Sequence, residues 1–184
     1  RPEDSLDVEQ ARAVHQRQAD ALAAADPDFL FAVPLPAADE AVGLCQAMAA
    51  TGAAYVPSFL LGIDGCLPDG TPLGQAIARI VNEVKDEPLH ISVSCVHPRS
   101  FIAGYRAAAN LPGAEYLNLL AELKANGSDL PRDQLDGATK LHSDDPDEWA
   151  AEMVNARDLA GLRILGGCCG TDERHIAALA ERLT

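Results

Sequence analysis

The stretch Leu162-Arg163-Ile164-Leu165-Gly166-Gly167-Cys168-Cys169-Gly170-Thr171 carries the architecture of this chain. It runs from a short apolar segment, through two adjacent thiols between glycines, into a helix start. Residues 162–165 read as a short buried strand. Thr171 is placed to N-cap a helix with Asp172 and Glu173 in its first turn and Ile176, Leu179 and Leu183 along one face. Strand, turn, helix is the grammar of a parallel sheet. Adjacent cysteines make a poor disulfide, because closing it strains the peptide between them. Just before a helix N-terminus the dipole favours thiolate over thiol, and the flanking glycines let the backbone turn and a ligand approach. That environment suits a metal ion.

Two thiolates leave a zinc site short of a ligand. The best candidate for the third is Cys95, which ends the strand-like run Leu89-His90-Ile91-Ser92-Val93-Ser94 and precedes a helix. In a parallel α/β barrel the C-terminal ends of different strands converge on one face, where active sites form. Three cysteines on zinc leave one tetrahedral position open, the catalytic arrangement.

The rest of the chain repeats the pattern. Helices are expected over residues 4–25 (capped by Asp4 or Ser5), 37–50, 71–84 (Thr71 as cap, Pro72 in the first turn), 98–110 and 147–160. Strands are expected over 28–33, 55–61, 89–94, 119–125 and 162–165, with a long loop over 126–145. Five strands alternating with helices predict an α/β fold with a parallel sheet. There is no linker and no low-complexity segment. A complete (β/α)8 barrel needs about 250 residues, more than the 184 here.

Cys95 at a strand end, followed by Gly166-Gly167-Cys168-Cys169-Gly170-Thr171 before the last helix, resembles the zinc-dependent homocysteine S-methyltransferases. The resemblance continues through Leu123-Lys124-Ala125-Asn126, Leu135-Asp136-Gly137, Asp145-Pro146-Asp147-Glu148-Trp149, and the loop from Asp64-Gly65 to Gly70-Thr71. It implies a TIM-type (β/α)8 barrel of which this chain supplies five of eight βα units, matching strands four to eight. Residues 1–184 would then be a single C-terminal portion of the barrel domain, completed by the rest of a longer chain or by another subunit. The implied activity moves a methyl group from a sulfonium or ammonium donor to the thiol of homocysteine, giving methionine. Zn2+ would sit on Cys95, Cys168 and Cys169, and Asn126, at a strand end on the same face, would touch substrate or cap its loop.

The alternative is a non-catalytic relative, or an inactive fragment, that keeps zinc as a structural staple. Three departures favour it. The family's substrate-binding glutamate is matched here by Ala32, its asparagine before the first zinc cysteine by Ser94, and its acidic glycine-rich motif is absent from this chain. Losing the carboxylate removes a charge-assisted hydrogen bond worth about 1.5–3 kcal/mol.

Composition bounds the partners. A formal charge of −14 opposes binding to nucleic acid or an anionic membrane. No run is long enough to span a bilayer. Five cysteines without framework spacing point to a reduced, cytoplasmic protein, and the resemblance implies small-molecule substrates. Cys45 reads as core and Cys66 as a loop thiol. His97, before Pro98, reads as a surface or capping residue, Trp149 as a packing anchor, and Asp64 and Asp69 as turn residues.

Overall fold

The structure, a computed structural model, describes residues 6–130, 132–135 and 137–184. Five strands, β1 (Leu30–Leu35), β2 (Tyr55–Phe59), β3 (Ile91–Val96), β4 (Leu120–Ala125) and β5 (Ile164–Gly167), form one sheet. They pair in parallel and in chain order, β1-β2-β3-β4-β5. Helices α1 (Val8–Ala23), α2 (Ala38–Ala50), α3 (Leu73–Glu83), α4 (Pro98–Ala108), the single turn α5 (Arg132–Leu135), α6 (Pro146–Ala160) and α7 (Glu173–Leu183) alternate with them.

Strand order without reversal, joined by right-handed crossovers, places the connecting helices on one face of the sheet. The other face is left to meet itself by curling. Lys124 on β4 lies over the ring of Phe31 on β1, 3.7 Å from its centroid, although two strands separate them in the sheet. A concave parallel sheet with helices outside is the geometry of a partial TIM-type barrel. Both β1 and β5 have a neighbour on one side only.

Alanine and glycine set the helix spacing. Gly43 on α2 faces α1 so closely that a Cβ there would strike the Val8 carbonyl, and would lie 2.7 Å from the Ala11 Cβ. Gly43→Ala is therefore expected to separate α1 from α2 and cost about 1–3 kcal/mol, the usual penalty of overpacking. A shift in the urea midpoint measures it, and an unchanged midpoint would contradict this packing.

Several ends differ from expectation. Asp4 and Ser5 lie outside the described residues; α1 is capped by Asp7, which exchanges side-chain and backbone bonds with Gln10. Pro72, not Thr71, holds the cap position of α3. Asp69 accepts from the Thr71 N–H as a turn residue, and its second oxygen accepts from the Ala38 N–H, serving α2, whose own cap residue makes no side-chain bond. Asp172 caps α7, because the Thr171 hydroxyl donates back to the Cys168 carbonyl. The buried face of α7 is His175, Ala178 and Leu179, while Ile176 and Leu183 are exposed. Finally, β5 is not a buried strand: Ile164 is 42% exposed, as befits an edge.

Candidate metal centre

Cys95, Cys168 and Asn126 stand at or just beyond the C-terminal ends of β3, β5 and the strand between them, β4. Alternation along β3 would turn Cys95 away from the concave face that Ser94 shares with Ser58. The ladder shifts register between Ser94 and Val96, and Cys95 takes a left-handed backbone, φ +60°. An extra residue in a strand re-aims its side chain, and such bulges concentrate beside functional sites. Here the bulge turns the Cys95 sulfur toward the Cys168–Cys169 turn.

That turn is held by its carbonyls. The Cys168 carbonyl accepts from the Thr171 hydroxyl at 2.7 Å, and the Cys169 carbonyl from the Gly127 N–H at 2.8 Å. The Cys168 N–H donates to Ala125. Gly170 closes the turn at φ +81°, a conformation that favours glycine.

The result is a compact sulfur cluster. Cys95 and Cys168 Sγ are 3.2 Å apart, Cys168 and Cys169 Sγ 3.9 Å, and all three lie within 4.8 Å of one another. A tetrahedral ion with bonds of about 2.3 Å has sulfur–sulfur edges of about 3.8 Å. The trio fits a soft metal ion with one position open, and three thiolates disfavour magnesium or calcium. The neighbouring Cys95 thiol, aided by backbone and Cys169 donors, outweighs burial and pulls the Cys168 thiol well below its ordinary range. Its negative charge in turn raises Cys169. Cys45 is fully buried away from the cluster, and Cys66 lies in its loop.

Asn126 is pinned through its backbone. Its N–H donates to Val96, and its carbonyl accepts from the Trp149 indole at 2.9 Å. Its side-chain Oδ1 is buried without a hydrogen-bond partner and lines a cleft of about 380 Å³ beside Cys95, with Leu61, Ile63, His97 and Ser128. An orphaned acceptor in a cleft is a place for a ligand's N–H or O–H. A second cleft, about 330 Å³, flanks Cys169 and is lined by Leu141, His142 and Gly170.

His97 does cap α4, accepting from the Arg99 N–H, but its side chain is only 2% exposed. Its ring nitrogens lie 3.3 Å from Asp129 and 3.2 Å from Asp144. Burial lowers its basicity against the pull of those carboxylates. Sequence spacing carried no sign of this link, because its partners are more than thirty residues downstream. Ala32 is buried in the helix-side core, and the exposed residue beside it on β1 is Val33.

The model of the family described as homocysteine S-methyltransferase matches residues 1–183. The chain belongs to the homocysteine S-methyltransferase family. It is 28% identical over 188 residues to betaine–homocysteine S-methyltransferase 1 of Bos taurus, covering 95% of this chain and 44% of that protein. It is also 28% identical over 178 residues to homocysteine S-methyltransferase of Escherichia coli K12, covering 95% and 54%. The chain thus spans about half the length of these homocysteine S-methyltransferases. Crystal structures of the homocysteine methyltransferase MmuM from Escherichia coli superpose with a TM-score of 0.71 at 25% identity. The apo form is matched over 98% of this chain and 59% of that one, the metallated form over 99% and 54%. No helix among the described residues is long and apolar enough to cross a membrane.

Proposed function

We propose that residues 1–184 form the C-terminal five βα units of a (β/α)8 barrel that transfers a methyl group to homocysteine at a zinc ion held by Cys95, Cys168 and Cys169. The observation that carries this reading is the sulfur cluster, three Sγ atoms within 4.8 Å at the C-terminal ends of β3 and β5, on either side of β4. Zinc bound by three thiolates supplies an open position at which a substrate thiol, normally protonated near neutral pH with a pKa of about 8.5, is held as thiolate. The chain's own residues do the rest. The cysteines fix where the sulfur nucleophile stands, and Asn126 offers Oδ1 to a polar hydrogen of the bound amino acid. The cleft beside Cys95 leaves room for a methyl donor to approach in line. Relatives carry betaine in their names; a sulfonium or ammonium donor suits the acidic balance of this chain.

A structural zinc staple is the second reading. It is favoured by β1, which presents no carboxylate at the mouth: its exposed residues there are Val33 and Pro34.

The test is methionine formation by the zinc-loaded protein, with homocysteine and S-methylmethionine, S-adenosylmethionine or betaine in turn. Methionine is expected from at least one donor and is expected to vanish in Cys95→Ala. A full-length protein with one zinc that makes none with any donor would establish the staple instead.

A further inference from the structure

The concave face beneath the sulfur cluster is unlike an ordinary barrel interior, which bulky branched residues fill in layers. Ser58, Ser92 and Ser94 occupy inward positions of β2 and β3, with the Ser58 hydroxyl 3.0 Å from Ser92 and 2.6 Å from Ser94. Across the ladder from Ser92 and Ser94 stand Glu122 and Lys124. Gly166 follows on β5, opposite Lys124. Small residues, Ser94 and Gly166, therefore flank Lys124 on the neighbouring strands, and it is the one basic residue in the five strands.

Lys124 is held yet unsaturated. Phe31 lies under its ammonium at 3.7 Å, and Glu122 Oε1 stands 3.5 Å away. That separation is longer than a good hydrogen bond, and an ammonium has three donors to place. Glu122, 4% exposed, gives its other oxygen to His90 at 3.1 Å. The Lys124 side chain remains 38% exposed, toward the concavity. A fixed cation with unspent donors on the wall of a site is suited to an anion.

Its position names the anion. In register Lys124 lies one residue before Cys95 and two before Cys168, about 7 Å below the latter at roughly 3.3 Å per residue. In homocysteine three carbons separate the sulfur from the carboxylate. With the sulfur among the cysteines, the carboxylate end reaches the level of Lys124 on the Gly166 side, where an added Cβ would meet nothing nearer than the Lys124 Cγ at 3.6 Å.

We propose that Lys124 anchors the carboxylate of the amino-acid thiol, with Glu122 and Phe31 as the residues that position it. The proposal rests on the reading of this site as the homocysteine site. Its test compares homocysteine with homocysteine methyl ester, which keeps thiol and amine but lacks the carboxylate, by calorimetry on zinc-loaded protein. The wild type is expected to prefer the free acid by about 10-fold or more, as a charge-assisted bond gives. In Lys124→Met the preference falls to near unity at unchanged zinc content, and Lys124→Arg restores part of it. Because Lys124→Met leaves Glu122 poorly paired, the double variant Lys124→Met/Glu122→Gln is measured beside it and is expected to lose the preference equally. Variants that hold zinc and keep the wild-type preference overturn the anchor. Equal binding of both compounds by the wild type overturns it while leaving the homocysteine reading intact. Binding of neither, at full zinc occupancy, overturns both.

Discussion

Cys168→Ser is expected to take the bound zinc from about one ion per chain to almost none. Cys168 is the central sulfur, 3.2 Å from Cys95 and 3.9 Å from Cys169, so its loss leaves two ligands on opposite sides of a gap. A serine hydroxyl cannot replace it. Zinc is bound by deprotonated sulfur, and Cys168 is the thiol whose surroundings favour its thiolate form. Metal analysis after dialysis under reducing conditions gives the answer, with Cys66→Ser as the control that keeps its zinc. A Cys168→Ser protein that still carries one ion would place the metal elsewhere and end the three-sulfur assignment.

Trp149→Ala is expected to be the most destabilising single change in the molecule. The indole is 1% exposed on α6, meets the His175 ring edge-on with centroids 5.4 Å apart, and donates to the Asn126 carbonyl. Truncating a buried aromatic side chain costs about 3–5 kcal/mol through lost burial and the cavity left behind. The orphaned Asn126 carbonyl adds part of a further penalty of about 1–3 kcal/mol. Against a total stability of about 5–15 kcal/mol, this is a large share. Urea unfolding measures it. Trp149→Phe separates the two terms, since it keeps most of the ring volume and loses only the donor. A loss below about 1 kcal/mol for Trp149→Ala would contradict the packing described for α6.

How much of this was legible in the residues divides along local and non-local lines. The glycine-flanked pair Cys168-Cys169 and the strand-end Cys95 are local signals, and the structure brings their sulfurs together. The alternation of strands and helices is local too, and it appears as the parallel five-stranded sheet. Capping was harder, because neighbouring polar residues compete: Thr171 turned back to Cys168 and left Asp172 to cap α7. The apolar run at residues 162–165 signals a strand but not its exposure, which depends on whether another strand lies beyond it. The partners of His97 and the Glu122–Lys124–Phe31 group were invisible for a third reason. Phe31 meets Lys124 only through the curvature of the sheet, and His97 meets its carboxylates only through the path of the loop before α6.

The left-handed backbone at Cys95 has a bearing on how the ion comes and goes. In zinc fingers the metal organises the chain, and removing it unfolds the protein. Here the β3–β4 ladder imposes the unusual conformation, and hydrogen bonds from Gly127 and Thr171 shape the facing turn. The three sulfurs are thus positioned by the sheet and its turns. On the proposed reading, uptake and release of the ion would be binding equilibria at a site shaped by the sheet, rather than steps that organise the chain.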